Sequence, residues 1–169
     1  MTIDEHHGGP NLPEARFEGR VQFQQLVRDA LDCAAREGWR QIILCDANFE
    51  DWPIGERAVA ESLQAWSLPG RQITLLAQRW DSVARQHARF VRWRKNWDDI
   101  VEARGCRQAD PAEFPSAIWT PGWMMQRHDL PRCIGTATHD PSRRHVLHEK
   151  LQEWLRQSSL AFPATTLGL

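Results

Sequence analysis

Two short apolar runs constrain this chain more than anything else in it: RQIILCDAN at 40–48 and RQITLLAQ at 71–78. Both are continuous rather than alternating, and both are rich in Ile and Leu. Strands covered on both faces read this way. A helix-periodic segment precedes the first run, another lies between the two, and a third comes after the second. Such alternation implies parallel strands joined by crossover helices.

The helical segments are legible from period and punctuation. Val21, Leu26, Ala30, Leu31 and Ala34 predict a helix over 20–37, stopped by Gly38. Pro53 delays the next helix, which is expected over 55–67, and Pro69-Gly70 marks the turn after it. A long helix is expected from Asp81, a good N-cap residue, to about 102. Its apolar face is Val83, Phe90, Trp93, Trp97 and Val101. In the last third, SAIWTPGWMMQRHD predicts a hairpin around Pro121-Gly122, and RCIGTATH a further strand. Asp140 as N-cap and Pro141 in the first turn open a final helix with Leu147, Leu151, Trp154 and Leu155 on its apolar face. The expected fold class is α/β: a mixed, mostly parallel sheet with helices packed on its faces. Residues 14–160 form one domain in this reading, between a disordered tail at 1–13 and a frayed tail at 161–169.

Composition narrows the function. The 169 residues carry a net charge of −1, which argues against a strongly basic nucleic-acid binder but leaves room for a local basic patch. No apolar run approaches the roughly 18 residues of a membrane span, and the polar, acid-bearing start is not a signal peptide. The four cysteines, Cys33, Cys45, Cys106 and Cys133, show no C-x2-C spacing. Neither a zinc site nor any cofactor is expected, and free thiols in a cytoplasmic, reducing compartment are. Nine tryptophans without one tyrosine either fill core positions or build a stacking surface; most fall at helix-periodic apolar positions, which favours the core.

Candidate chemistry gathers in a few places. Asp46 stands at a strand end, where open α/β sheets bind ligands, with Asn48, Glu50 and Asp51 just beyond. These groups either hold a divalent cation or cap the loop and pair with an arginine, and the second is the reading taken. Arg85, Arg89 and Arg92 share one side of the long helix; they either grip phosphates or form a solvated face. His87 and Arg94 fall near the apolar face instead, and a cation there needs a partner. Asp46 or Asp51 is the expected partner of Arg94. His128-Asp129 and His139-Asp140 are adjacent pairs, of which His128 is the candidate acid or base. Trp119 and Trp123, with Met124 and Met125, form either an exposed partner-binding patch or core. His145 and His148 read as surface residues, since HVLHEK fits no zinc-protease order. His6 and His7 read as part of a solvated tail.

The stretches LCDANFEDW, RQITLLAQ and HARFVRWRKNW, with the closing EKLQEWLRQS, resemble a half-domain of the phospholipase D superfamily in its degenerate bacterial form. The resemblance spans residues 20–158 and rests on element order. Active members carry H-x-K-x4-D. Here His148-Glu149-Lys150 supplies H-x-K, but Leu155 stands where the Asp belongs, inside the last helix. The resemblance thus implies an inherited scaffold without the hydrolytic site, and a homodimer, since such half-domains pair.

The leading expectation is a non-catalytic cytoplasmic domain that binds a protein partner or a phosphate-bearing ligand through Asp46, Asp51, His87 and Arg94, or through Arg85, Arg89 and Arg92. One alternative is a phosphodiesterase-type hydrolase using Asp46, His87 and His128. Another is a single-stranded nucleic-acid-binding module using the three arginines and exposed tryptophans.

Overall fold

The computed structural model describes residues 11–163. Its centre is the pair of apolar runs: β2 (Gln41–Asp46) and β3 (Gln72–Ala77) lie parallel, with Ile42 beside Ile73 and Asp46 beside Ala77. Around them run β1 (Ala15–Glu18), β4 (Val101–Gly105), β5 (Ala117–Trp119), β6 (Met124–Asp129), β7 (Ile134–Thr138) and β8 (Ser159–Leu160). All eight form one sheet in the order β1-β7-β6-β5-β2-β3-β4-β8.

The sheet is mixed, as expected, but it is not mostly parallel. Only β2–β3 and β3–β4 pair in parallel; the other five neighbour pairs are antiparallel. Parallel pairing of neighbours needs a crossover long enough to return the chain, and only the helical connections from β2 to β3 and from β3 to β4 lead to an adjacent strand; the helices at 20–37 and 141–157 cross to strands that are not neighbours. From β5 to β7 the chain comes back through hairpins. One is the expected Pro121-Gly122 turn, closed by Thr120 N–H donating to Trp123 O at 2.9 Å.

Each strand sends alternate side chains to opposite faces. Ile42, Leu44, Ile73, Leu75 and Met125 meet a layer made of α1 (Arg20–Glu37), α2 (Arg57–Trp66), α3 (Asp81–Gln86) and α4 (Ala88–Asn96). Ile43, Cys45, Leu76 and Met124 meet α5 (Pro141–Gln157) on the other face, through its buried Leu147 and Leu151. Asp140 caps α5 by accepting from Arg143 N–H at 3.0 Å, and Pro141 sits in the first turn. Gly38 closes α1 in the left-handed conformation at φ 70°. No described helix is long and apolar enough to cross a membrane.

Three expectations are corrected. The long helix from Asp81 to about 102 is two helices and a strand. It breaks at His87 (φ −119°, ψ 61°) and ends near Trp97, and Val101 opens β4. His87 is drawn out of line by its own ring, whose Nε2 lies 3.0 Å from Phe49 O and whose Nδ1 packs against Gly55. Ala161 and Phe162, expected in a frayed tail, are held: Ala161 N–H donates to Ala103 O at 3.0 Å, and the Phe162 ring stacks on Trp80 at 4.8 Å. Leu12 and Pro13, expected in a disordered tail, are packed: Leu12 is buried and Pro13 O accepts from Trp123 Nε1 at 3.0 Å. Residues 1–10, with His6 and His7, and 164–169 lie outside the described residues.

Candidate functional site

Asp46 ends β2 at the floor of a cleft of about 540 Å³, walled by Arg20, Gln24, Asn48, Glu50 and Asp51. Its Oδ2 accepts from Asn48 N–H at 3.2 Å and Phe49 N–H at 2.8 Å, which folds the loop back over the strand end. This turn leaves Phe49 at φ 56° with its ring fully buried. Oδ1 faces the other way, toward a guanidinium that belongs to Arg127 on β6.

The expectation that Arg94 meets Asp46 or Asp51 is therefore wrong in its arginine. Arg94 is buried, but it pairs with Asp98 at 2.8 Å and donates to Phe162 O at 3.1 Å, on the β4–β8 side of the molecule. Arg127 takes the place expected of it. Its Nη2 lies 2.9 Å from Asp46 Oδ1 and 3.2 Å from Asp51 Oδ1. Its Nη1 reaches Asp51 Oδ2 at 2.7 Å and Cys133 Sγ at 3.3 Å, and its Nε reaches Ser116 Oγ at 2.9 Å. A guanidinium has five N–H groups, and these five contacts use them all. The Phe23 ring lies beneath, 4.0 Å from the guanidinium carbon, a cation–π distance. Burial opposes the charge of Arg127, but the hydrogen bonds to Asp51 and the charges of Asp46 and Asp51 outweigh it and push its pKa up. So saturated a cation has nothing left to offer a ligand. The cluster is a tether joining β2, its loop, β5 and β6. Among the described residues, no three His, Cys, Asp or Glu side chains gather as metal ligands would.

The three candidate hydrolase residues do not converge. Asp46 and His87 are both buried on the α1–α4 face, Asp46 held by Arg127 at the cleft floor and His87 by Phe49 O. A carbonyl only accepts, so His87 Nε2 carries the proton. His128 is exposed and bonds Thr136 Oγ1 on β7, whose side chain projects to the α5 face, opposite Arg127. The H-x-K triplet His148–Lys150 lies inside α5, as expected. His145 is exposed, whereas His148 is half-buried under Trp119, with ring centroids 4.4 Å apart. His139 turns to Glu14, 3.2 Å away.

Arg85, Arg89 and Arg92 are all exposed, on the outer side of α3 and α4. From 79 to 97 the chain carries Arg79, Arg85, Arg89, Arg92, Arg94 and Lys95 against the single acid Asp81. Of these cations, only the buried Arg94 forms an ion pair among the described residues. Arg89 donates one bond, to Gly55 O at 3.1 Å. A chain with net charge −1 thus concentrates exposed positive charge along α3, α4 and the loop before them.

The tryptophans serve the core. None is exposed, and six donate their indole N–H within the protein: Trp66, Trp80, Trp93, Trp97, Trp119 and Trp123. Trp123, Met124 and Met125 are buried and Trp119 is half-buried, so the hairpin presents no apolar patch. The sequence reading missed Arg127, Ser116 and Cys133. The one signal was the strand MMQRHD itself, where the two-residue period places Arg127 on the same inward face as Met125.

No protein-family model matches the sequence, and no curated protein is significantly similar to it. Among solved structures, the fold is similar to that of TrmBL2, an archaeal chromatin protein described as showing a novel mode of DNA binding. The two share a TM-score of 0.65 and 11% sequence identity, over 92% of this chain and 57% of that one. This chain therefore spans little more than half the length of that protein, and at such identity the likeness is one of fold.

Proposed function

We infer that this chain is a non-catalytic nucleic-acid-binding domain that grips backbone phosphates through the outer surface of α3 and α4. The observation that carries the reading is the strip Arg79, Arg85, Arg89, Arg92 and Lys95, exposed and without a carboxylate partner among the described residues. Guanidinium groups make bidentate bonds to phosphate oxygens, and such contacts give affinity without sequence information. The DNA-binding character of TrmBL2 supports the reading from the side of the fold. The phosphate-bearing ligand expected from the sequence is, in this reading, the nucleic acid itself. The tryptophans, braced within the core, weigh against base stacking and so favour duplex over single strands. The phospholipase D resemblance enters only as an inherited scaffold, consistent with an H-x-K placed on a helix.

The test is fluorescence anisotropy with a labelled duplex and the matching single strand across a salt series. Five engaged cations predict a log–log salt slope of roughly −4 to −5 on the duplex. The triple variant Arg85→Gln/Arg89→Gln/Arg92→Gln should weaken binding and flatten that slope by about 3. Absence of duplex binding at low salt, or a triple variant that binds like the native protein while remaining folded, overturns the reading.

A further inference from the structure

The α5 face of the sheet carries a second group of cations, remote in topology from the α3–α4 strip. The strand pairing of β6 and β7 is interrupted between Arg127, which faces Gly135, and Asp129, which faces Ile134. His128 is the extra residue of this bulge. Bulges re-aim side chains and recur beside functional sites. Here the His128 ring is turned onto Thr136, with Nε2 3.0 Å from its Oγ1. The same hydroxyl accepts from Arg143 Nη2 of α5 at 3.1 Å. Lys150 stands two turns further along that helix, with the buried Leu147 between them, and its charge also acts on His128.

Of the acids on or beside the same strands and helix, Asp129 accepts from Arg132 N–H at 3.1 Å, Glu14 accepts from His139 N–H at 2.7 Å, Glu153 pairs with Arg156 at 2.7 Å and Asp140 caps α5, while Glu149 is exposed beside Lys150. Arg143 and Lys150 form no ion pair among the described residues. His128 and Arg143 thus meet at one hydroxyl, with Lys150 on the same helix as Arg143 close enough for its charge to act on His128.

We propose that His128, Thr136, Arg143 and Lys150 form a binding site for a tetrahedral oxyanion of the sulfate and phosphate class. Arg143 and Lys150 supply charge, the Thr136 hydroxyl supplies a hydrogen bond, and His128 joins as a second donor when protonated. Desolvation first, and then the charges of Arg143 and Lys150, hold His128 below its ordinary value. An anion between these groups favours the charged imidazole and reverses that shift, so binding tightens as pH falls through the His128 midpoint. The site does not depend on the α3–α4 reading.

The experiment tracks the His128 ring resonance by NMR across a pH series, with sodium sulfate or sodium chloride at matched ionic strength. Sulfate keeps its charge through this range, so any change belongs to the protein. The expected result is an upward move of the His128 midpoint by about one pH unit in sulfate, equivalent to roughly tenfold tighter binding of the protonated form. Chloride should give a smaller change, and Arg143→Gln/Lys150→Gln should abolish the sulfate effect with an unchanged melting temperature. Equal shifts in sulfate and chloride, which indicate screening alone, overturn the proposal. So does a sulfate shift that survives in the folded double variant. Repeating the titration with inorganic phosphate and with duplex DNA, in the Arg85→Gln/Arg89→Gln/Arg92→Gln background, identifies the source of the oxyanion. A response to phosphate alone assigns a free anion, and a response to both assigns the nucleic-acid backbone.

Discussion

Arg127 Nη2 and Asp46 Oδ1 meet at 2.9 Å across the sheet, although the residues stand 81 positions apart in the chain. Both side chains are almost completely buried, at 2% and 4% exposure, and Asp51 completes the group at 2.7 Å. Removing one partner of such a pair strands the other's charge, which costs about 3–5 kcal/mol. Arg127→Met should therefore lower the melting temperature by roughly 10 °C or more in a domain of this size. Arg94→Met should cost far less, about 1 kcal/mol, because Asp98 is 66% exposed and regains water. Calorimetry on the two variants tests the ranking; equal losses would show that Arg127 is no special tether.

Gly135 makes that approach possible. It stands opposite Arg127 in the β6–β7 pairing, and a Cβ there would lie 2.1 Å from Gln126 O and 2.6 Å from the Phe17 ring. Backbone on one side and a buried ring on the other leave little room to yield. Gly135→Ala should destabilise by about 1–3 kcal/mol. Because the strain falls on the strand that carries Arg127, Gly135→Ala and Arg127→Met should be non-additive in urea unfolding. Full additivity would separate the two sites.

The Arg28–Glu56 pair ties α1 to the start of α2 through two bonds, 2.7 Å and 2.9 Å. The hydrogen bonds from Arg28 hold the Glu56 carboxyl below its usual range. A carboxylate whose folded pKa is depressed contributes stability above its unfolded pKa, about 4.3, and loses it as pH falls through the folded value. Glu56→Gln should therefore be less stable than the native protein at neutral pH, and the two should converge below about pH 4. Melting curves at pH 7 and pH 3 decide; a difference independent of pH would show that the pair contributes through contact alone.

The sequence by itself determined the elements whose causes are local. The apolar runs at 40–48 and 71–78 are strands because only a doubly covered strand hides so continuous a run. Gly38 ended α1, Asp140 and Pro141 began α5, and Pro121-Gly122 turned the hairpin, each through its own backbone preference. The exposure of Arg85, Arg89 and Arg92 was equally legible, since helical period alone separates them from Phe90 and Trp93, and all three are exposed on either side of the break at His87. Tertiary structure decided the rest. Local sequence favoured one helix from Asp81 to 102, and only the pull of Phe49 and Gly55 on His87 divides it. A need for a buried arginine beside Asp46 was readable, but which arginine was not. That choice depends on strand order, which places β6 one strand beyond β5 from β2 and leaves Arg94 toward the β4–β8 edge. The meeting of His128, Thr136 and Arg143 depends on a bulge and on the path of α5, neither of which leaves a mark in residue spacing.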